Sequence, residues 1–197
     1  MITTNNSEYA KNLRLLRQHG MSVPDTVRHK ARRVILEEYV CVGYNYRMTD
    51  IQAAIGIEQM QKLDWILARR RELAARYTEA LSGHPWLRPP YVPDYAEPNF
   101  QSYAVQLTDD APITRDDLMQ TLLDQGIATR RGIMLAHAEP AYQKDFEREG
   151  LEASERASAT SVLLPLFPQM SDSQHKAVVE SLTPHALPSK ASPVAFS

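Results

Sequence analysis

The chain has 197 residues, 43% of them hydrophobic, a formal net charge of −2 at pH 7 and a single cysteine, Cys41. One cysteine excludes an internal disulfide framework and fits a reducing compartment, so a cytoplasmic protein is expected. No apolar run is long enough to span a bilayer, and the small negative charge argues against general nucleic-acid binding.

In chain order, residues 1–4 are short and β-prone, and Asn5, Asn6 and Ser7 supply turn and cap residues. Residues 8–18 read as an amphipathic helix with Tyr9, Leu13 and Leu16 on its apolar side, closed by Gly20. Residues 21–38 form a polar connection carrying Arg28, His29, Lys30, Arg32 and Arg33. A solvated basic loop is the favoured reading and an anion site the alternative, because charge runs are usually surface and Glu37 and Glu38 offset part of this one. Residues 38–42 are β-prone and lead into Gly43.

Thr49 and Gln52 have capping-box spacing, with Asp50 where a helix dipole favours negative charge. Ile51, Ala54, Ile55, Leu63, Ile66, Leu67, Leu73, Tyr77 and Leu81 then recur at helical spacing. The spacing predicts one helix over 49–82, stopped at Ser82-Gly83-His84-Pro85. That is more helix than one small core needs, so part of it is expected to pack elsewhere. Arg69, Arg70, Arg71 and Glu72 are placed on its solvated side or on a partner surface.

Residues 85–98 hold Trp86, Tyr91, Tyr95 and several prolines, which predicts an extended crossing segment. Residues 99–107 alternate as a half-buried strand. Thr114 caps the next helix, with Leu118, Leu122 and Leu123 as its buried stripe and Gly126 at its end. A strand over 127–130 follows, then a helix over 152–161. The apolar run 162–168 should cover a core. A last helix, capped by Ser171 and ending at Leu182, should turn Val178, Val179 and Leu182 inward. Residues 184–197 have no period and are expected to be disordered.

The turn at 43–47 and the segment 132–142 hold the candidate chemistry. Asn45 offers a neutral amide donor, and Arg47 a planar fork of donors matched to phosphate or carboxylate. His137 can donate or accept a proton near neutral pH. The bland alternatives are that Asn45 stabilises its own turn, that Arg47 pairs with Asp50 and that His137 is structural. Scattered histidines give no metal-ligand spacing, and there is no nucleophile elbow or glycine-rich phosphate loop.

Gly43-Tyr44-Asn45-Tyr46-Arg47-Met48-Thr49-Asp50, running on through Ile51-Gln52-Ala53-Ala54-Ile55-Gly56 and Lys62-Leu63-Asp64, resembles the DegT/StrS family of nucleotide-sugar aminotransferases. Leu15-Leu16-Arg17-Gln18-His19-Gly20 is similar to a further family segment, and the resemblance runs from Met1 to about Leu182. It implies the C-terminal part of a fold-type I, pyridoxal 5'-phosphate (PLP)-dependent transferase of α/β class. Residues 1–48 would be a remnant of the large PLP-binding domain, 49–82 a long connecting helix, 83–183 a small α+β domain and 184–197 the tail.

The resemblance implies that Asn45 reaches the PLP phosphate of the neighbouring subunit. It places Arg47, Tyr46 and His137 on the substrate side, although Met134-Leu135-Ala136 stand where family members often carry an aromatic-proline pair. It further implies an amino donor, usually glutamate, and a keto-sugar carried on a nucleotide diphosphate. The family's Schiff-base lysine precedes the matched region, and Lys11, Lys30, Lys62, Lys144, Lys176 and Lys190 do not resemble its context. The expectation is therefore a chain inactive alone, working as a homodimer or with a missing N-terminal half, and binding neither nucleic acid nor membrane. The alternative is a non-catalytic module that dimerises or binds a partner through the long helix.

Overall fold

The computed structural model describes residues 2–142 and 150–183. The chain divides into two units, Met1–Gln61 and Lys62–Ser197. The expected tail and Lys144 lie outside the described residues.

In the first unit, α1 (Ser7–Leu16) begins at Asn6, whose Oδ1 accepts from the Glu8 and Tyr9 amides. The chain leaves α1 through two left-handed residues, His19 and Gly20, and the Gly20 amide donates to the Leu15 carbonyl at 3.0 Å. Helix α2 (Asp25–Lys30) follows. Among the described residues, the β-prone segments 2–4 and 38–42 do not become strands. Only isolated bridges form, Met21 to Tyr39 and Gln18 to Asn45. An extended segment becomes a strand when a neighbour completes its hydrogen-bond ladder, and none does so among the described residues.

Helix α3 (Asp50–Gln61) opens with the expected capping box. The Thr49 amide donates to Gln52 Oε1 at 3.0 Å, and the Gln52 amide to Thr49 Oγ1 at 3.3 Å. No residue of α3 is buried, and Ile51, Ile55, Ile57 and Met60 are all exposed. The stretch expected as one helix over 49–82 is two, α3 and α4 (Leu63–Ala80), with Lys62 between them. Lys62 keeps right-handed angles (φ −92°, ψ −2°), so helical sense survives while regular bonding lapses for one residue. Neither proline nor glycine marks the break.

Among the described residues, the second unit is built on four antiparallel strands: β1 (Leu87–Arg88), β2 (Tyr103–Leu107), β3 (Arg130–Arg131) and β4 (Ser161–Leu164), in the order β1-β2-β4-β3. The central pair aligns Tyr103 with Leu164 and Val105 with Val162. Alternation puts Tyr103, Val105 and Leu107 on the buried face. Helix α4 adds Leu73, Ala74 and Tyr77. Helix α5 (Arg115–Asp124) adds Leu118 and Leu122, and α7 (Asp172–Ser181) adds Val178. Helix α6 (Glu152–Thr160) buries no residue. Thr114 and Ser171 cap α5 and α7 as expected, the latter in a full capping box with Gln174. Leu123 is exposed rather than part of the buried stripe. It follows Leu122 by one residue, about 100° round the helix.

Arg69, Arg70 and Arg71 are half-buried and bonded to backbone rather than free in solvent. Arg69 Nη2 donates to the Met170 carbonyl at 2.8 Å. Arg70 Nη1 donates to the Phe100 and Gln101 carbonyls, each at 2.9 Å, and Arg71 Nε donates to the Pro98 carbonyl at 3.2 Å. Arg70 and Arg71 tie α4 to the segment before β2, where Phe100 is left-handed (φ 45°), and Arg69 ties it to the residue before the α7 cap. Among the described residues, no helix is long and apolar enough to cross a membrane.

Candidate functional site

The turn at 43–47 is shaped by the end of α1. The Tyr44 amide donates to the Leu16 carbonyl at 2.6 Å, the His19 amide to the Tyr44 carbonyl at 3.0 Å and the Tyr46 amide to the Arg17 carbonyl at 2.9 Å. These bonds seat the turn against residues 16–19. Gly43 is required for space rather than for a left-handed angle. A Cβ there would fall on the backbone of His19 and Gly20, and one on Gly20 would fall on the Cys41 carbonyl.

Tyr44 and Tyr46 then lie parallel, with ring centroids 5.1 Å apart and planes within 6°. They remain 53% and 73% exposed, so the pair presents aromatic surface. Tyr44 was not among the predicted site residues. Its signal was the i, i+2 spacing to Tyr46, which puts two side chains on one side of extended backbone.

Asn45 and Arg47 pair in the same way, Arg47 Nε donating to Asn45 Oδ1 at 3.3 Å. Both are exposed. This bond occupies the Asn45 oxygen, and the Asn45 side-chain NH2 has no hydrogen-bond partner among the described residues. An accessible amide donor beside a guanidinium is a donor set suited to a phosphate. The structure thus brings Asn45, Tyr46 and Arg47 together on one turn.

His137 belongs to the other unit. It sits in a short 3₁₀ turn, Ala136–Ala138, with Nε2 3.1 Å from Glu155 Oε1 on α6. Its side chain is 11% exposed. That partner fixes the ring whether or not it also meets a substrate.

The second unit also holds an open groove of about 600 Å³ between α4 and α7, lined by Arg76, Ala80, Asp172, His175, Lys176 and Val179. None of the predicted site residues lines it. Its chemistry is structural. Hydrogen bonds from Arg76 and Arg69 hold the Asp172 carboxyl below the usual carboxylate range. Burial lowers the pKa of His175, whose Nε2 lies 3.2 Å from the Leu73 carbonyl. Burial likewise raises the Tyr77 phenol, which donates to the Pro165 carbonyl at 2.9 Å. Among the described residues, no group of three His, Cys, Asp or Glu could hold a metal.

Comparison with known proteins gives a consistent result. The model of the DegT/DnrJ/EryC1/StrS aminotransferase family matches residues 1–183. The solved structure of an aminotransferase, TlmJ from Streptoalloteichus hindustanus, is 28% identical with a TM-score of 0.75, over 90% of this chain and 44% of that one. DesV from S. venezuelae is 26% identical with a TM-score of 0.79, over 93% and 46%. The sugar aminotransferase CalS13 from Micromonospora echinospora is 26% identical with a TM-score of 0.74, over 90% and 45%. The chain therefore spans a little under half the length of the structures it resembles.

Proposed function

This chain belongs to the DegT/DnrJ/EryC1/StrS aminotransferase family, and from that premise we propose that it is the C-terminal portion of a PLP-dependent aminotransferase acting on a nucleotide-linked keto-sugar. The observation that carries the proposal is the extent of the match. The family model covers residues 1–183, while the chain spans 44–46% of its structural relatives. The described residues form mixed helix and sheet, in keeping with part of a fold-type I transferase.

Enzymes of this family depend on PLP. When bound, the cofactor supplies the electron sink for moving an amino group. Asn45, through its side-chain NH2, is the residue of this chain that would hold the cofactor phosphate, that of a neighbouring subunit. Arg47 and Tyr46 would line the substrate side, and His137 would approach the substrate from the small domain. The Schiff-base lysine would come from the part of the fold outside this chain, so the polypeptide alone would not turn over substrate. A cytoplasmic homodimer, or a complex with an N-terminal half, would complete the site.

Borohydride reduction in the presence of PLP, read by intact mass and peptide mapping, tests the reading. No specific pyridoxyl adduct is expected. A single stoichiometric adduct on one lysine, or transamination by the purified chain, would overturn the claim that the chain lacks its own catalytic site.

A further inference from the structure

Residues 22–38 make a closed loop whose two ends meet. The Ser22 amide donates to the Glu38 carbonyl at 2.8 Å, and the Glu38 amide to Ser22 Oγ at 3.0 Å. Met21 bridges Tyr39, and the Val40 amide donates to the Gly20 carbonyl at 2.9 Å. Inside the neck, Arg28 pairs with Glu37 as a strut. Glu37 thus sits in the strut and Glu38 at the neck.

The tip is different. Lys30, Arg32 and Arg33 are exposed, and none has an ion pair among the described residues. Lys30 is accounted for in part by the carbonyl end of α2, where a cation is favoured. Arg32 and Arg33 lie beyond the helix and have no such role. The neck runs directly into the turn at 43–47, and residues 16–22 hold both. One scaffold therefore carries a donor pair, Asn45 and Arg47, and a loop presenting three unneutralised cations.

We propose that the tip of this loop is a diphosphate-binding arm, in which Lys30, Arg32 and Arg33 take the diphosphate of a nucleotide-linked ligand. This deepens the aminotransferase reading and rests on it. Guanidinium forks match phosphate oxygens in pairs, and closed surface loops pinned at the neck are a common way of presenting binding residues. Arg28 is the strut and is not part of the arm.

The test is titration of the full chain with inorganic pyrophosphate and with a nucleoside diphosphate, by calorimetry at low and moderate salt. The expected result is binding of both that weakens as salt rises, with roughly a tenfold or greater loss in Arg32→Ala/Arg33→Ala, in line with charge-assisted hydrogen bonds. Arg32→Lys/Arg33→Lys should recover part of that loss. Tighter binding of the nucleoside diphosphate would show that the base is also read. Absence of binding by the unaltered chain, or equal affinity in the alanine variant, would overturn the arm. So would a single-stranded oligonucleotide that outcompetes both probes. The borohydride experiment is read on lysines, so failure of the arm and failure of the aminotransferase reading are separate results.

Discussion

Every residue of the buried hydrophobic cluster lies between Leu73 and Leu182, in the second unit. In the first unit, Met21 is the one buried hydrophobic residue among those described, while Ile51 is 76% exposed and the other large apolar side chains of α3 are also open. Both units contain capped helices with apolar residues at recurring intervals. They differ in whether a sheet is present to receive the apolar face. Helical periodicity marks a face able to pack, and it does not supply the surface it packs on.

The largest test of that difference is Tyr77→Ala. Tyr77 is fully buried, its ring meets Tyr103 and His175, and its hydroxyl donates to Pro165. Removing it should cost the second unit about 3–5 kcal/mol, measured by urea unfolding. A loss below about 1 kcal/mol would mean that the core is not what stabilises this unit.

A smaller effect is expected from pH. Burial lowers the pKa of both His175 and His84 below the ordinary 6.5. The folded state therefore prefers the neutral ring, and the unfolded chain takes up protons first as pH falls. Their contribution is complete above about pH 6.5 and is lost on the way down through the folded-state values. Melting temperature should accordingly drop between pH 7.5 and 5.5. In His175→Gln the drop should shrink, even though the variant starts lower. A melt unchanged by pH would remove the buried-neutral assignment.

The smallest effect belongs to the first unit. Ile55→Ser on α3 should change stability by no more than about 0.5 kcal/mol, because the side chain is already in solvent. A large loss, or a change in sedimentation, would show that α3 is covered in solution.

Much of the local structure was legible. Asn6, Thr49, Thr114 and Ser171 take their caps, and Gly20, Gly83 and Gly126 adopt left-handed angles at helix ends, because both depend on a few adjacent residues. Asn45 and Tyr46 could be singled out from the octapeptide, but the ring pair with Tyr44 and the Asn45–Arg47 bond needed coordinates. The arginine run 69–71 was misread because its acceptors, carbonyls near residues 98–101 and 170, are distant in sequence. The break at Lys62 has no residue-level signal at all.

By itself, then, the sequence determined helix ends, the alternating face of β2 and a family resemblance carried by residues 43–56. Each of these is encoded by short-range chemistry. Tertiary structure alone decided that Gly43 must lack a side chain, that three arginines clamp backbone and that the apolar stripe of α4 is buried while that of α3 is not. These depend on which distant backbone comes near, and sequence spacing carries no record of that.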